Sequence, residues 1–111
     1  MSIEHSEVRG FTVVRVRGEV EVLTAPRLAD AVTSALGGER PVVVDLTDVT
    51  FLDSAGLGTL LRVTEASEEG GEPLRLAVDE NRPVVRPLQI TGLEHRLALH
   101  HSAEDATAGT A

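Results

Sequence analysis

The stretch PVVVDLTDVTFLDSAGLGTLL, residues 41–61, decides the fold, because an apolar run leads through a serine-containing turn into a leucine-rich segment. Its first part, residues 41–46, is short and apolar, which is typical of a strand covered on both faces. We therefore predict a central strand, a polar turn over residues 47–50, and then a helix that ends at Gly70-Gly71.

The residues before this stretch predict a β-hairpin followed by a helix. Residues 3–8 and residues 11–17 flank an Arg-Gly turn, and the second run is rich in β-branched residues. We expect two paired strands that end at Gly18. Thr24 is expected to cap a helix that has proline in its first turn, and Gly37-Gly38 is expected to stop it.

The residues after this stretch alternate again between strand and helix patterns. We predict a strand over residues 74–78 and another short strand within residues 95–100. Between them, a helix over residues 83–91 is closed by Gly92. Pro87 lies inside that helix and costs about 3 kcal/mol there unless the helix kinks or starts late. The alternation predicts a single layered α/β domain, with crossover helices on a mixed β-sheet of four to five strands.

The composition excludes several classes of chemistry. Cysteine is absent, so disulfides, thiolate zinc sites and cysteine nucleophiles are excluded. All ten basic residues are arginine, which excludes Walker-type phosphate loops and lysine Schiff-base chemistry. The net charge of -8 and the two aromatic residues argue against nucleic-acid binding, which needs clustered basic side chains and stacking platforms.

The chain shows no pattern for export or for membrane insertion. Its first ten residues, MSIEHSEVRG, have neither a basic start nor an apolar stretch, and the longest apolar runs are only a few residues. We therefore expect a cytoplasmic protein with no membrane partner. Nothing in the sequence requires more than a monomer, and the expected partners are proteins or small molecules.

Ser54 has three interpretations, because it stands where the apolar stretch gives way to the helix. As an N-cap, its hydroxyl accepts a hydrogen bond from an early helical N–H and stabilises the helix by about 1 kcal/mol. The same helix N-terminus favours negative charge, so it can hold a phosphate on Ser54 or an oxyanion there. A hydrolase nucleophile elbow is disfavoured, because Leu52 stands where a glycine is needed and only Gly56 fits. Nothing around the downstream histidines marks one of them as a base oriented by a carboxylate.

Three aspartates near the end of the predicted central strand raise a second possibility. Asp45, Asp48 and Asp53 suggest a magnesium-assisted phosphoacceptor aspartate, since α/β proteins place their sites at strand ends. Receiver domains of that kind also carry a later lysine, and this chain has none. We therefore interpret the aspartates as solvated turn residues, and we expect neither a metal site nor a cofactor.

Four blocks of sequence together resemble a known family. They are GEVEVLTAPRL, VVVDLTDVTFLDSAGLGTLL, EEGGEPLRLAV and VVRPLQITGLEHRL. In this order and spacing they resemble the sulfate transporter and anti-sigma factor antagonist (STAS) domain in its stand-alone form. The resemblance runs from about Gly18 to Ala106, and it implies a STAS domain over residues 1–106. A disordered tail is expected over residues 107–111, where the small side chains have nothing to bury.

The resemblance implies a regulator that exchanges partners and is not an enzyme. In this family the unmodified antagonist binds an anti-sigma factor that is also a serine kinase, which frees a sigma factor. Phosphorylation of the serine after the motif aspartate separates the two proteins, and a metal-dependent phosphatase resets the antagonist. Ser54 matches that serine, and Asp53 matches the motif aspartate. The expected partner-binding residues are Asp53, Ala55, Gly56, Leu57, Gly58 and Leu61, with Glu21 and Thr24 from the acidic loop.

The sequence departs from the commonest family pattern in three places. Ala55 replaces a second serine and leaves Ser54 as the one acceptor in the motif, Glu21 stands where aspartate is usual, and Pro87 interrupts a helix. Three hypotheses stay open: a phosphorylatable antagonist of an anti-sigma kinase, a binding module of a larger signalling or lipid-transport assembly, and a Ser54 hydrolase. The intact Asp-Ser motif in a free-standing chain favours the first.

Overall fold

The computed structural model describes residues 1–108, and within them the chain forms one five-stranded sheet and four α-helices. The strands are β1 (Ser2–Val8), β2 (Phe11–Val20), β3 (Val42–Leu52), β4 (Arg75–Ala77) and β5 (Ala98–His100). The helices are α1 (Ala25–Leu36), α2 (Ser54–Glu69), α3 (Arg82–Thr91) and α4 (Ala103–Thr107), with a 3-10 turn at Leu93–His95. None of the helices in this part of the chain is long and apolar enough to cross a membrane.

The strands lie in the sheet in the order in which they occur along the chain. β1 pairs antiparallel with β2, as the hairpin pattern predicted, and β2 to β5 are parallel neighbours. Each parallel pair is joined by a crossover that contains α1, α2 or α3. The predicted mixed sheet with crossover helices is therefore confirmed. Because β2 and β3 are parallel neighbours, the β2–α1 loop and the β3–α2 turn leave the same end of the sheet.

The sheet is covered on both faces, although by different amounts. On one face, α1, α2 and α3 pack over a large apolar core that includes Val14 and Val44. On the other face, α4 places Ala106 against a smaller cluster that includes Phe11 and Val43. The predicted central strand is confirmed, since β3 is third of five and Val43 and Val44 are fully buried on opposite faces.

Two predicted strand ends are wrong, because both strands continue past the expected turns. Residues 47–50, predicted as a polar turn, belong to β3, which runs on to Leu52. Gly18, predicted to end β2, lies inside it at a positive φ of 93°, beside a register shift between the two strands. Parallel pairing with β2 holds this extension, in which Val49 is buried while the polar residues occupy the opposite face.

In the C-terminal part of the chain, the predicted helix around Pro87 is confirmed, and helical order extends to Thr107. α3 continues through Pro87, because Val84 and Leu88 bury its inner face and packing outweighs the lost backbone donor. Thr107, predicted to begin a disordered tail, lies in α4 and is buried. Residues 109–111 of the predicted tail lie outside the described residues.

Candidate functional site

Ser54 begins α2 at the point where β3 ends, and the residue before it caps the helix. The N–H of Gly56 donates to Asp53 Oδ1 at 3.0 Å, and the N–H of Asp53 donates to Val20 O at 3.2 Å. Asp53 thus satisfies an early helical N–H and ties the start of α2 to β2. The interpretation of Ser54 as the N-cap is wrong: Ser54 is the first helical residue, and its side chain is exposed.

Gly56 packs inward beneath this turn. A Cβ added to it would lie 2.5 Å from Leu52 Cδ1 and 3.0 Å from Val20 O, so the close approach of α2 to the sheet requires glycine here. The residue is buried, which corrects the prediction that it belongs to a surface open to a partner. The absence of a side chain at Gly56 thus allows the first turn of α2 to pack closely on β2 and β3.

The other predicted residues of α2 divide between core and surface. Ala55 and Leu57 are half-buried and pack against the large core. Gly58 and Leu61 are half-buried as well. Since Gly58 follows Ser54 by one helical turn, the surface next to the hydroxyl is formed by small side chains, Ala55 and Gly58, which let another chain approach closely.

Glu21 and Thr24, both predicted to bind a partner, build the loop between β2 and α1. Oε1 of Glu21 accepts hydrogen bonds from the N–H groups of Leu23 and Thr24, each at 3.2 Å. The Thr24 hydroxyl donates to Glu19 O at 2.8 Å and accepts from the Glu21 N–H at 3.0 Å. The prediction that the Thr24 side chain caps α1 is therefore wrong, because its hydroxyl makes no hydrogen bond to an N–H of that helix. These hydrogen bonds hold the loop in a defined shape.

Three large apolar side chains that the sequence analysis missed are exposed at the end of the sheet that carries the Asp53–Ser54 turn. On the β2–α1 loop, Val22 is 65% exposed and Leu23 is 81% exposed. Phe51, close to the end of β3, is 49% exposed. Large apolar side chains uncovered together at one end of a sheet indicate a surface for a partner. The signal in the sequence was the adjacent Val22-Leu23 pair, which lies outside any periodic run.

A groove of about 460 Å³ runs between α1 and α2 at the same end of the molecule. Val22, Pro26 and Ala55 contribute apolar lining, and Asp30 and Arg62 contribute charge. The groove begins beside the serine turn, because Ala55 is the residue next to Ser54. The exposed hydroxyl therefore lies beside this groove, which includes the uncovered Val22, and we call the two together the α2 surface.

The aspartates considered as a metal site have other partners. Asp48 Oδ2 lies 3.1 Å from Arg15 Nη2 and 3.6 Å from Arg17 Nε, and Asp53 caps α2. Asp45 is buried in β3, which corrects its interpretation as a solvated turn residue. From residue 1 to residue 108, no group of three or more His, Cys, Asp and Glu side chains could hold a metal ion.

The histidines that follow Ser54 along the chain lie at an edge of the sheet. His100 is in β5, the edge strand, and His101 Nδ1 lies 3.0 Å from Asp79 Oδ1. Ser54 instead follows β3, two strands away from β5. These contacts give no geometric support to a histidine base at the Ser54 hydroxyl, which a Ser54 hydrolase would require.

Comparison with known proteins finds relatives over nearly the whole chain. A model of the STAS domain matches residues 2–106. The anti-sigma-B factor antagonist of Staphylococcus aureus is 30% identical over 105 residues, which cover 94% of this chain and 96% of the relative. The anti-sigma-F factor antagonist RsfB of Mycobacterium tuberculosis is 28% identical over 111 residues, which cover 98% of this chain and 88% of the relative.

A solved structure shares the same architecture. The crystal structure of an anti-sigma factor antagonist from Mycobacterium paratuberculosis superposes with a TM-score of 0.80 at 29% identity. The superposition covers 95% of this chain and 89% of that chain. The α/β fold predicted from the sequence is therefore confirmed by comparison as well as by the topology of the sheet.

Proposed function

The chain belongs to the STAS domain family, and from this premise we propose that it is an anti-sigma factor antagonist. Support comes from relatives named as antagonists of anti-sigma factors, which match over almost the full length of the chain. In the proposed exchange, the unmodified protein binds an anti-sigma factor that is also a serine kinase, and this binding frees a sigma factor. The protein itself acts as a binding partner and a phosphorylation substrate, without catalytic chemistry of its own.

The observation that carries the proposal is the exposed Ser54 hydroxyl at the end of the sheet where large apolar side chains are also uncovered. Asp53 takes over the capping of α2, which leaves the Ser54 side chain on the surface. Leu23 and Phe51 expose apolar area nearby, at the same end of the sheet. A partner that covers these side chains gains about 25 cal/mol for each Å² of apolar surface removed from water. Val22 lines the same groove as Ala55, so a partner seated in that groove lies next to the Ser54 hydroxyl.

The proposed modification is a phosphoryl transfer from ATP held by the kinase. The Ser54 Oγ forms a bond to the γ-phosphorus, and the bond between that phosphorus and the oxygen bridging to ADP breaks. The hydroxyl proton passes to a base on the kinase, and ADP leaves. A metal-dependent phosphatase reverses the modification by hydrolysis: a water oxygen bonds to phosphorus, the Oγ–P bond breaks, and inorganic phosphate leaves.

Inside the antagonist, a phosphate on Ser54 requires little rearrangement. The group adds about -1.5 to -2 charge at pH 7. It stands at the start of a helix of 16 residues, where the first N–H groups and the macrodipole favour an anion. Because Ser54 is exposed, the phosphate also keeps most of its hydration. We therefore expect the fold to stay unchanged on phosphorylation.

In the complex with the kinase, the same phosphate weakens binding. The kinase must approach Ala55 and Gly58 closely, and a dianion between the two surfaces loses its water next to the Asp53 carboxylate. A loss of about 3 kcal/mol corresponds to more than a hundredfold in affinity, which is enough to separate the two proteins. We propose that the antagonist acts in this exchange as a monomer in the cytoplasm, where the kinase finds its ATP.

The test is phosphorylation by the serine-kinase anti-sigma factors encoded in the source genome. Each kinase is purified and incubated with the protein and ATP, and the intact mass is recorded. We expect one kinase to add one phosphate to the wild-type protein and none to Ser54→Ala. Ser102→Ala is the matched control, because Ser102 also stands at a helix start, as the N-cap of α4. This variant should be phosphorylated like the wild type.

Two results would contradict the proposal. One is that no kinase of the set adds phosphate to the wild-type protein. The other is that phosphate is still added to Ser54→Ala, which would move the acceptor to another residue. Either result would leave the STAS fold intact and remove Ser54 from the exchange of partners.

A further inference from the structure

Three residues of α2 lie in one line along its exposed side. Ser54, Gly58 and Arg62 are spaced by four residues each, so they follow one another along one face of the helix. Long side chains on a helix point back toward its N-terminus. The side chain of Arg62 therefore extends toward Gly58 and Ser54. The missing side chain at Gly58 leaves its path open.

The Arg62 guanidinium lies in this position. A Cβ added to Gly58 would lie 3.2 Å from Arg62 Nη1, so the guanidinium lies directly over the glycine. Arg62 Nη2 donates to the Thr59 hydroxyl oxygen at 3.1 Å. With a rise of about 1.5 Å per residue, the level of Gly58 is only about 6 Å along the axis from Ser54. A phosphate on Ser54 and the guanidinium can close that gap by rotating their side chains.

The charges around Arg62 leave its guanidinium available for an anion. Among the described residues, no carboxylate oxygen lies within the 4.0 Å of a salt bridge to it, whereas Arg15 pairs with Asp48 and Arg96 pairs with Glu68. Acidic groups near this surface are Asp30 in the groove, Glu65 about one turn further along α2, Glu21 in the loop and Asp53 at the helix cap. Oε1 of Glu21 and Oδ1 of Asp53 already accept backbone hydrogen bonds.

We propose that Arg62 is the intramolecular counter-ion of a phosphate on Ser54. The inference rests on the proposed function, because the pair has a role only if Ser54 is phosphorylated. The guanidinium donates to the phosphate oxygens and exchanges its weak bond to a neutral hydroxyl for a charge-assisted one. The joined side chains then lie across Gly58. Phosphorylation thereby holds the guanidinium in place over Gly58 and hinders the close approach of a partner to α2, in addition to adding charge.

The experiment incorporates phosphoserine at position 54 during translation, so it does not depend on any kinase. The second pKa of the phosphoserine, ordinarily about 6, is followed by phosphorus-31 NMR as a function of pH. A nearby guanidinium favours the dianion and lowers this pKa. We expect Arg62→Gln to raise it by about half a pH unit relative to the phosphorylated wild type. Arg62→Lys, which keeps the charge, should restore most of the difference.

Arg86→Gln is the matched control, because it removes the same charge from the exposed side of α3, in a groove that Asp79 and Glu80 also line. It should leave the phosphoserine pKa unchanged. Equal pKa values in Arg62→Gln and Arg86→Gln would overturn the proposal, and so would an Arg62→Lys variant that behaves like Arg62→Gln. A kinase that fails to modify Ser54 would count against the proposed function alone, since the phosphate here is introduced without it.

Discussion

At the residue scale, Asp53 caps α2 and Ser54 presents an exposed hydroxyl, whereas the sequence alone is compatible with either residue as the cap. Both residue types are good N-caps, and a shift of one residue in the start of α2 exchanges their roles. That start depends on how far β3 extends, which is set by pairing with β2 and not by local preference. The motif was therefore found from the sequence, whereas the identity of the capping residue required the structure.

This division predicts opposite outcomes for two neighbouring substitutions. Asp53→Ala removes the acceptor for the Gly56 N–H and should lower the free energy of unfolding by about 1 kcal/mol. Ser54→Ala should change it by less than about 0.5 kcal/mol, because the side chain is exposed. Urea unfolding of both variants measures the difference, with Asp53→Asn as a control that keeps a capping oxygen. If Ser54→Ala lowered the free energy of unfolding more than Asp53→Ala, Ser54 and not Asp53 would be the capping residue.

Two glycines one half-turn apart in α2 should respond to alanine in opposite directions. Gly56→Ala forces a methyl group against Leu52 and Val20, so it should destabilise by about 1–2 kcal/mol despite the better helix propensity of alanine. Gly58→Ala meets only the mobile end of Arg62 and should be neutral or stabilising by up to about 1 kcal/mol. Chemical unfolding compares them, and similar losses in both variants would refute this account of Gly56.

At the scale of elements, the sequence analysis found the β2–α1 loop and the β3–α2 turn but not the surface they form together. Three of residues 47–50 are polar and the segment looks like a turn, yet β3 continues through it because it pairs with β2 and buries Val49. Such pairing joins residues that are distant in the chain, so local periodicity does not reveal it. The exposed apolar side chains near Ser54 depend on these longer strands.

The loop between β2 and α1 should contribute affinity independently of the phosphorylation site. Leu23→Ser removes an apolar side chain that is 81% exposed, so it should weaken binding to the anti-sigma kinase about tenfold while stability stays unchanged. Ile90→Ser is the matched control, because Ile90 is 72% exposed on α3. Isothermal titration calorimetry measures both variants. Equal affinities for the kinase would place the loop outside the interface.

At the scale of the whole molecule, the α/β class and the mixed sheet followed from the sequence because strand and helix periods alternate regularly. The packing of α4 as a second layer on the opposite face of the sheet did not follow from the sequence. α4 is only five residues long, and the burial of Ala106 and Thr107 depends on Phe11 and Val43, which come much earlier in the chain. A short segment of small residues carries no periodic signal, so its docking becomes visible only in the folded molecule.

The edge of this second layer should make the fold sensitive to acid. Burial, followed by the nearby Arg75 guanidinium, lowers the pKa of His100 below its ordinary value of 6.5, and Asp105 opposes the effect in part. The unfolded chain therefore binds the proton more readily, so stability is present above pH 6.5 and is lost as the pH falls below it. His100→Gln should flatten this dependence in unfolding curves recorded from about pH 7.5 to about pH 5, a range that spans the ordinary histidine pKa. His5→Gln, on the exposed edge strand β1, serves as the control, and an unchanged slope in His100→Gln would rule the effect out.

The central claim is that a phosphate on Ser54 separates the antagonist from its anti-sigma kinase without unfolding it. The most direct measurement is the affinity of the kinase for the unmodified protein and for the protein with phosphoserine incorporated at position 54, determined by calorimetry, with circular dichroism of both forms. We expect the phosphorylated form to bind at least about a hundredfold more weakly, with an unchanged spectrum. Equal affinities of the two forms would contradict the claim.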